Sequence, residues 1–162
     1  MAIHKLDLGE FDEIDYYLIA IHTSLEDYRL AFFINQKLPI NLSKSENEIQ
    51  INIKEGETNF SRFYYNDIES TITWNLIQNK NEVVQYKKGN TQNLFSDVTM
   101  EVATKVFLLP EFKKVDYFLK IENNDDAMDI SKIQLLLNTI DSISTVYIVD
   151  TNQIKSKNNL IF

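Results

Sequence analysis

His22 stands in the run "IHTSLEDYRL", among the residue types that a proton-transfer site needs. Thr23, Ser24, Glu26 and Asp27 follow it directly, and Asp15 precedes it. Imidazole changes charge near neutral pH, and a carboxylate within hydrogen-bond reach orients it, so the group has the composition of a general base with acidic orienters. The other histidine, His4, lies near the start of the chain. A base at His22 would act from the end of a strand, just before a helix, where functional residues gather. The plainer alternative is a histidine that closes its strand while the acids complement the helix dipole. No second histidine and no paired nucleophile accompanies His22, which favours the plainer alternative.

Other chemistry is thinly represented. The stretch "ENNDDAMD" (122–129) offers oxygen ligands of the kind Ca²⁺ or Mg²⁺ takes, but it lacks the glycine and the final glutamate of an EF-hand loop. "EFDEID" (10–15) reads as a solvated acidic approach to the first strand. P-loop, GxGxxG, GxSxG and HExxH patterns are missing, and 3 glycines leave little room for a phosphate cradle. With 0 cysteines, disulfides, thiol nucleophiles and zinc–thiolate centres are excluded. No metal or cofactor is expected.

Charge and composition narrow the class further. A net charge of −8 opposes phosphate, and the densest basic patches are only the pairs Lys87-Lys88 and Lys113-Lys114, so nucleic acid is not an expected partner. The 162 residues, 44% apolar and 25% charged, describe one globular domain over 1–162. No apolar run approaches the roughly 20 residues of a membrane span. The opening "MAIHKLDLGEFDE" has no secretory pattern, so a soluble cytoplasmic protein is expected. Scarce glycine and proline with abundant Asn, Lys and Ile reflect biased base composition and carry no functional message.

The elements follow from periodicity. Tyr16 to His22 reads as a strand. Thr23 and Glu26 fit a capping box opening a helix from about Ser24 to Lys37, with Pro39 closing it. Ile49, Ile51 and Ile53 alternate on one face of a strand, and Glu55-Gly56-Glu57 is a turn. "NFSRFYYND" is a single aromatic strand. "STITWNLIQ" puts Ile72, Trp74 and Leu76 on one side, and "NEVVQYKK" should return beside it as a hairpin. Gly89 to Asp97 is polar loop. "TKVFLL" and "VDYFLKIE" form a second hairpin around Pro110-Glu111. Ile130, Ile133, Leu136, Leu137, Ile140 and Ile143 fall at helical spacing, with Asp125, Asp126 and Asp129 at the helix start. "STVYIVD" is the last strand. Phe60, Phe63, Tyr64, Tyr65, Trp74 and Tyr86 cluster over consecutive strands, either as the core side of the sheet or as an adhesive face, and core is preferred.

Two strands share a local pattern. Val115-Asp116-Tyr117-Phe118-Leu119 echoes Ile14-Asp15-Tyr16-Tyr17-Leu18, each ahead of a helix. A duplicated strand–helix unit related by a pseudo-twofold axis would produce this echo, and so would common scaffolding used twice. Apolar on both sides until His22, the first copy is expected inside the sheet. The second, with Phe118, Lys120 and Glu122 on one side, is expected to meet water near its far end.

The string "LPEFKKVDY" (109–117) resembles the signature of the IPExxxVDY family of small bacterial proteins, with Leu109 in place of the first Ile. The "HTSLEDYRLA" and "WNLIQNK" stretches and the chain length are similar to that family as well. The resemblance implies that Glu111, Asp116 and Tyr117 matter, and it brings no activity, cofactor or catalytic residue. The residues themselves favour a structural role. Pro110 suits the second position of a turn, Glu111 has Lys113 and Lys114 within reach, and Val115 restarts the strand.

The expected architecture is α+β: a largely antiparallel sheet of about seven to eight strands, with two amphipathic helices on one face. A helix about 10 Å wide covers about two strands spaced about 4.8 Å apart, so two helices leave apolar sheet over. Exposed apolar sheet marks an interface. The expected role is therefore a non-enzymatic binding or adaptor protein, a homodimer or bound to another protein. The alternative is a small enzyme or ligand-binding protein with a pocket near His22, Glu111 and Asp116. The candidate residues are His22, Glu26, Pro110, Glu111, Asp116 and Tyr117.

Overall fold

β1 (Tyr16–Thr23) contains no glycine or proline, and its central residues Leu18, Ile19, Ala20 and Ile21 are wholly buried. A strand apolar on both sides must be covered on both, which puts it inside a sheet. The computed structural model, describing residues 15–88, 99–122 and 128–162, places it there. β1 lies between β9 (Tyr117–Glu122) and β10 (Ile143–Ile148), antiparallel to each. β6 (Ile72–Gln78) pairs with the other edge of β9, β5 (Arg62–Asp67) with β6, and the two-residue β2 (Ser43–Lys44) closes the row. The six-stranded order is β10-β1-β9-β6-β5-β2, antiparallel throughout.

Two shorter pairs accompany this sheet. β3 (Ile49–Ile53) pairs with β4 (Gly56–Phe60), joined through Gly56 at φ +134°, a conformation that glycine adopts without steric cost. β7 (Lys80–Lys88) pairs with β8 (Thr99–Phe107) as a separate ribbon. The expected single sheet of seven to eight strands is thus a six-stranded sheet with two ribbons.

Strand pairing is where expectation and structure part. β7 does not return beside β6, and β8 does not pair with β9: the central sheet takes β6 and β9 side by side, and the ribbon takes the two strands between them. "NFSRFYYND" breaks at Ser61, so β4 and β5 belong to different sheets. The expected 89–97 loop lies outside the described residues.

α1 (Asp27–Lys37) and α2 (Ile130–Asn138) lie on one face of the sheet. Leu30, Ala31 and Ile34 of α1 and Ile133 and Leu137 of α2 share a core with Ile19, Ile21, Trp74, Leu76, Leu119 and Ile121. α1 starts later than the capping-box pattern implies. Thr23 Oγ1 accepts from Leu25 N at 3.1 Å and donates to the Ser142 carbonyl at 2.7 Å, while Glu26 takes the N-cap position without a side-chain cap bond. In α2 the cap is as expected for Asp129, whose carboxylate accepts from Lys132 N at 3.1 Å. Asp125 and Asp126 lie outside the described residues.

The opposite face is covered by the chain itself. Leu18, Ala20, Ile77 and Phe118 pack under Ile49 and Phe60 of the β3–β4 pair, under Leu108, Leu109 and Val115, and under Val149, Ile154 and Leu160. The last three belong to a strap that follows β10 and contains short 3-10 turns at Thr151–Gln153 and Lys157–Leu160. The count of sheet area against helices therefore omitted a cover: a segment with no long apolar run still inserts single apolar residues at the right places. The aromatic cluster also divides. Phe63 and Trp74 join the core under the helices and Phe60 the core on the opposite face, while Tyr64 and Tyr86 are exposed.

The echoed strands lie side by side in the sheet, Ile19 opposite Leu119. Their aligned residues face opposite ways: Tyr16 and Leu18 look to the strap, Tyr117 and Leu119 to the helices. A twofold axis relating antiparallel neighbours preserves the face, so this alignment does not describe such an axis. Leu160, 1% exposed, anchors the strap, and Leu160→Ala is expected to lower stability by roughly 2–5 kcal/mol in urea unfolding, as a core truncation would.

Candidate functional site

Antiparallel pairing of β6 with β9 sets Gln78 opposite Tyr117, which brings Asn79 against Asp116. Asn79 is completely buried, and a buried carboxamide must satisfy both its donors and its acceptor. Its Nδ2 donates to the carbonyls of Phe112 (2.9 Å) and Val115 (2.8 Å), and its Oδ1 accepts from Leu109 N at 2.9 Å. Its backbone N–H donates to the Asp116 carbonyl, and its own carbonyl accepts from Leu108 N, both at 2.9 Å. One side chain thus holds both ends of the "LPEFKKV" turn.

The singled-out acids are engaged in the same clasp. Asp116 Oδ2 accepts from Thr23 N at 2.9 Å and Oδ1 from Lys80 Nζ at 2.8 Å, which ties the end of β1 to the start of β7. Tyr117 donates its hydroxyl to the Leu25 carbonyl at 2.9 Å, and burial, with Asp27, Asp116 and Glu26 nearby, pushes its pKa up to about 12. Pro110 opens a 3-10 turn, Pro110–Phe112, where its missing N–H costs nothing. Glu111 does not face Lys113 and Lys114. Its Oε1 accepts from Lys155 N (2.7 Å) and Ser156 N (2.8 Å), and its Oε2 from Ser156 Oγ (3.0 Å). Burial alone would raise this carboxyl, but those donors outweigh it and hold the pKa below its ordinary value.

His22 stands apart from this clasp chemically. Its ring lies 5.8 Å from that of Tyr147, and its carbonyl accepts from Ser144 Oγ at 2.9 Å, next to a register shift at His22/Thr23. Of the acids expected around it, Glu26 is exposed at the N-cap of α1 and Asp27 pairs with Lys44 at 3.1 Å. The structure brings Pro110, Glu111, Asp116 and Tyr117 into one clasp, and does not assemble a base with its orienters at His22.

A second cluster was missed by sequence reasoning. Lys120, expected to meet water, is 5% exposed. Its Nζ donates to the Leu160 carbonyl at 2.8 Å, pairs with Glu122, and lies 5.0 Å over the Tyr16 ring and 4.8 Å over that of Phe162. Arg62 lies 4.6 Å from the Phe162 ring centroid and 5.6 Å from that of Tyr64, while its Nε donates to Asn75 Oδ1 at 2.9 Å. The signal available in sequence was a lysine in alternation with Phe118, flanked by the apolar Leu119 and Ile121.

Two surface features complete the inventory. An open, polar cavity of about 530 Å³ is lined by Lys44, Glu46, Glu48 and Glu57 among others, away from the clasp. On the helix layer, Tyr28 and Phe32 project outward one turn apart at 59% and 58% exposure, and Leu135 of α2 does so at 67%. Among the described residues no group of acids and histidines has metal-binding geometry, and no helix is long and apolar enough to cross a membrane. The "ENNDDAMD" stretch falls largely on 123–127, outside the described residues. The chain matches no protein-family model, no curated protein and no solved structure.

Asn79→Leu strands an N–H and two carbonyls in the core, so it should lower stability by on the order of 3 kcal/mol in urea unfolding with an unchanged slope. Glu111 has its folded pKa depressed, so its contribution is present above the unfolded value of 4.5 and lost as pH falls through the folded one. Glu111→Gln should accordingly destabilise more at pH 7 than near pH 3, as read from urea midpoints at the two pH values.

Proposed function

We propose that this chain is a non-enzymatic binding or adaptor protein of the cytoplasm, working through protein–protein contacts as a homodimer or with another protein. Membership of the IPExxxVDY family, resting on residues 109–117, belongs to the same proposal. The observation that carries the reading is the aromatic ridge of α1. Tyr28 and Phe32 stand on the helix face that amphipathic patterning reserves for polar residues, while Leu30, Ala31 and Ile34 suffice for the core.

The contact surface proposed is thus the helix layer and not bare sheet. Burying Tyr28, Phe32 and Leu135 would contribute about 1.5–3 kcal/mol each. Association costs at least about 4 kcal/mol, and a stable interface takes about 800 Å² from each partner, so the ridge would act as the anchor within a wider patch. The alternative pocket at His22, Glu111 and Asp116 finds no support, because both carboxylates are already held by backbone donors.

Phe32→Glu tests the reading without touching the core. Sedimentation equilibrium of the wild type should give a mass above 19.0 kDa, and the variant should return to 19.0 kDa with its thermal midpoint kept. If the partner is another protein, the variant should instead lose it in a pull-down from native extract. A wild type that stays at the monomer mass, with a pull-down unchanged by Phe32→Glu, overturns the proposal.

A further inference from the structure

Tyr64, Asn75, Lys120 and Leu18 stand directly across from one another on β5, β6, β9 and β1, forming one row on the strap face of the sheet. Directly opposite residues share a face, so the row is cationic and polar at one side and apolar at the other. Arg62 flanks the row on β5, and Tyr16 and Glu122 flank it opposite each other on β1 and β9. The Phe162 ring lies at this end of the face, its centroid 4.8 Å from the Lys120 ammonium and 4.6 Å from the Arg62 guanidinium.

Stability alone does not account for Lys120. A charge carried into a sheet face loses hydration, and an apolar residue of similar volume usually serves the fold as well or better. The ammonium is nevertheless held in place, by the Leu160 carbonyl and the Glu122 carboxylate, with a face turned to two aromatic rings. Lys120 pairs with Glu122, and burial lowers the Arg62 pKa. Among the described residues the guanidinium donates only to Asn75, through Nε, so its flat outer edge keeps donors suited to a carboxylate.

We propose that Arg62 and Lys120, walled by Tyr16 and Tyr64, form a binding site for a planar aromatic group bearing one carboxylate, and that Phe162 is its built-in competitor. Phe162 shows that one ring can contact both cations at once. The guanidinium donors that Asn75 leaves unused select an anionic substituent on that ring. Leu160 is anchored at 1% exposure while Ile161 is 78% and Phe162 42% exposed, so the ring can lift away without moving the anchor. Binding of the ligand exchanges one ring for another and adds a charge-assisted hydrogen bond.

Phenylacetate is the probe, titrated against the full-length protein while the backbone amide shifts of Lys120 and Glu122 are followed by NMR. Phe162→Ala should bind it roughly fivefold or more tighter than the wild type, because the competitor is gone. Phe162→Leu, which keeps apolar bulk and removes the π face, should also bind it tighter and guards against a folding defect in the first variant. Adding Arg62→Gln to Phe162→Ala should abolish the gain. Cyclohexylacetate, equal in charge but without a π system, should bind more weakly than phenylacetate. The proposal is overturned if wild type and both Phe162 variants bind phenylacetate equally or not at all, or if cyclohexylacetate binds as well.

Discussion

The carboxamide of Asn79 joins two stretches of chain that the strand order leaves adjacent and unconnected. It holds Leu109, Phe112 and Val115 by three hydrogen bonds, and its own backbone bonds Leu108 and Asp116. Asn79 is completely buried, so a conformation of the β8–β9 turn that left any of those partners unmet would be costly. Asp116 then reaches Thr23 and Lys80, and Glu111 reaches the backbone of the strap. The position of the strap, and so part of the cover of one sheet face, depends on a turn set by one asparagine.

That dependence explains why the acids of "LPEFKKVDY" are not free for chemistry. Glu111, accepting from two backbone N–H groups, is stabilised in its charged form, and Asp116 is tied between Thr23 N and Lys80, so both serve as joints. The same joint frees the rest of the molecule to present other surfaces: the aromatic ridge of α1 on one side, and the Arg62–Lys120 pair on the other.

Pairing was the least legible property of the chain. Short polar connections at Asn79 and at Pro110-Glu111 imitate hairpin turns, and local rules favour pairing neighbours in sequence. The chain instead leaves the sheet after β6, builds the β7–β8 ribbon, and re-enters beside β6 as β9. What decides this is the environment of β9. Five consecutive buried residues, Tyr117 to Ile121, need cover on both faces and a neighbour at both edges, and a two-stranded ribbon provides neither.

The sequence by itself determined the class, α+β with two helices and mostly antiparallel strands, because periodicity of 3.6 or 2 is written locally in runs such as Ile130 to Leu137 and Ile72 to Leu76. It determined that β1 is interior, since apolar side chains on both faces leave no other place for it. Which strands became neighbours was decided only by the tertiary structure. So was the burial of Lys120, and so was the match between Asn79 and its partners. The β6–β9 pairing, the Lys120–Leu160 bond and the Asn79 side-chain contacts each join residues 30 or more positions apart, set by which surfaces remain uncovered once the local elements exist, and no local pattern records them.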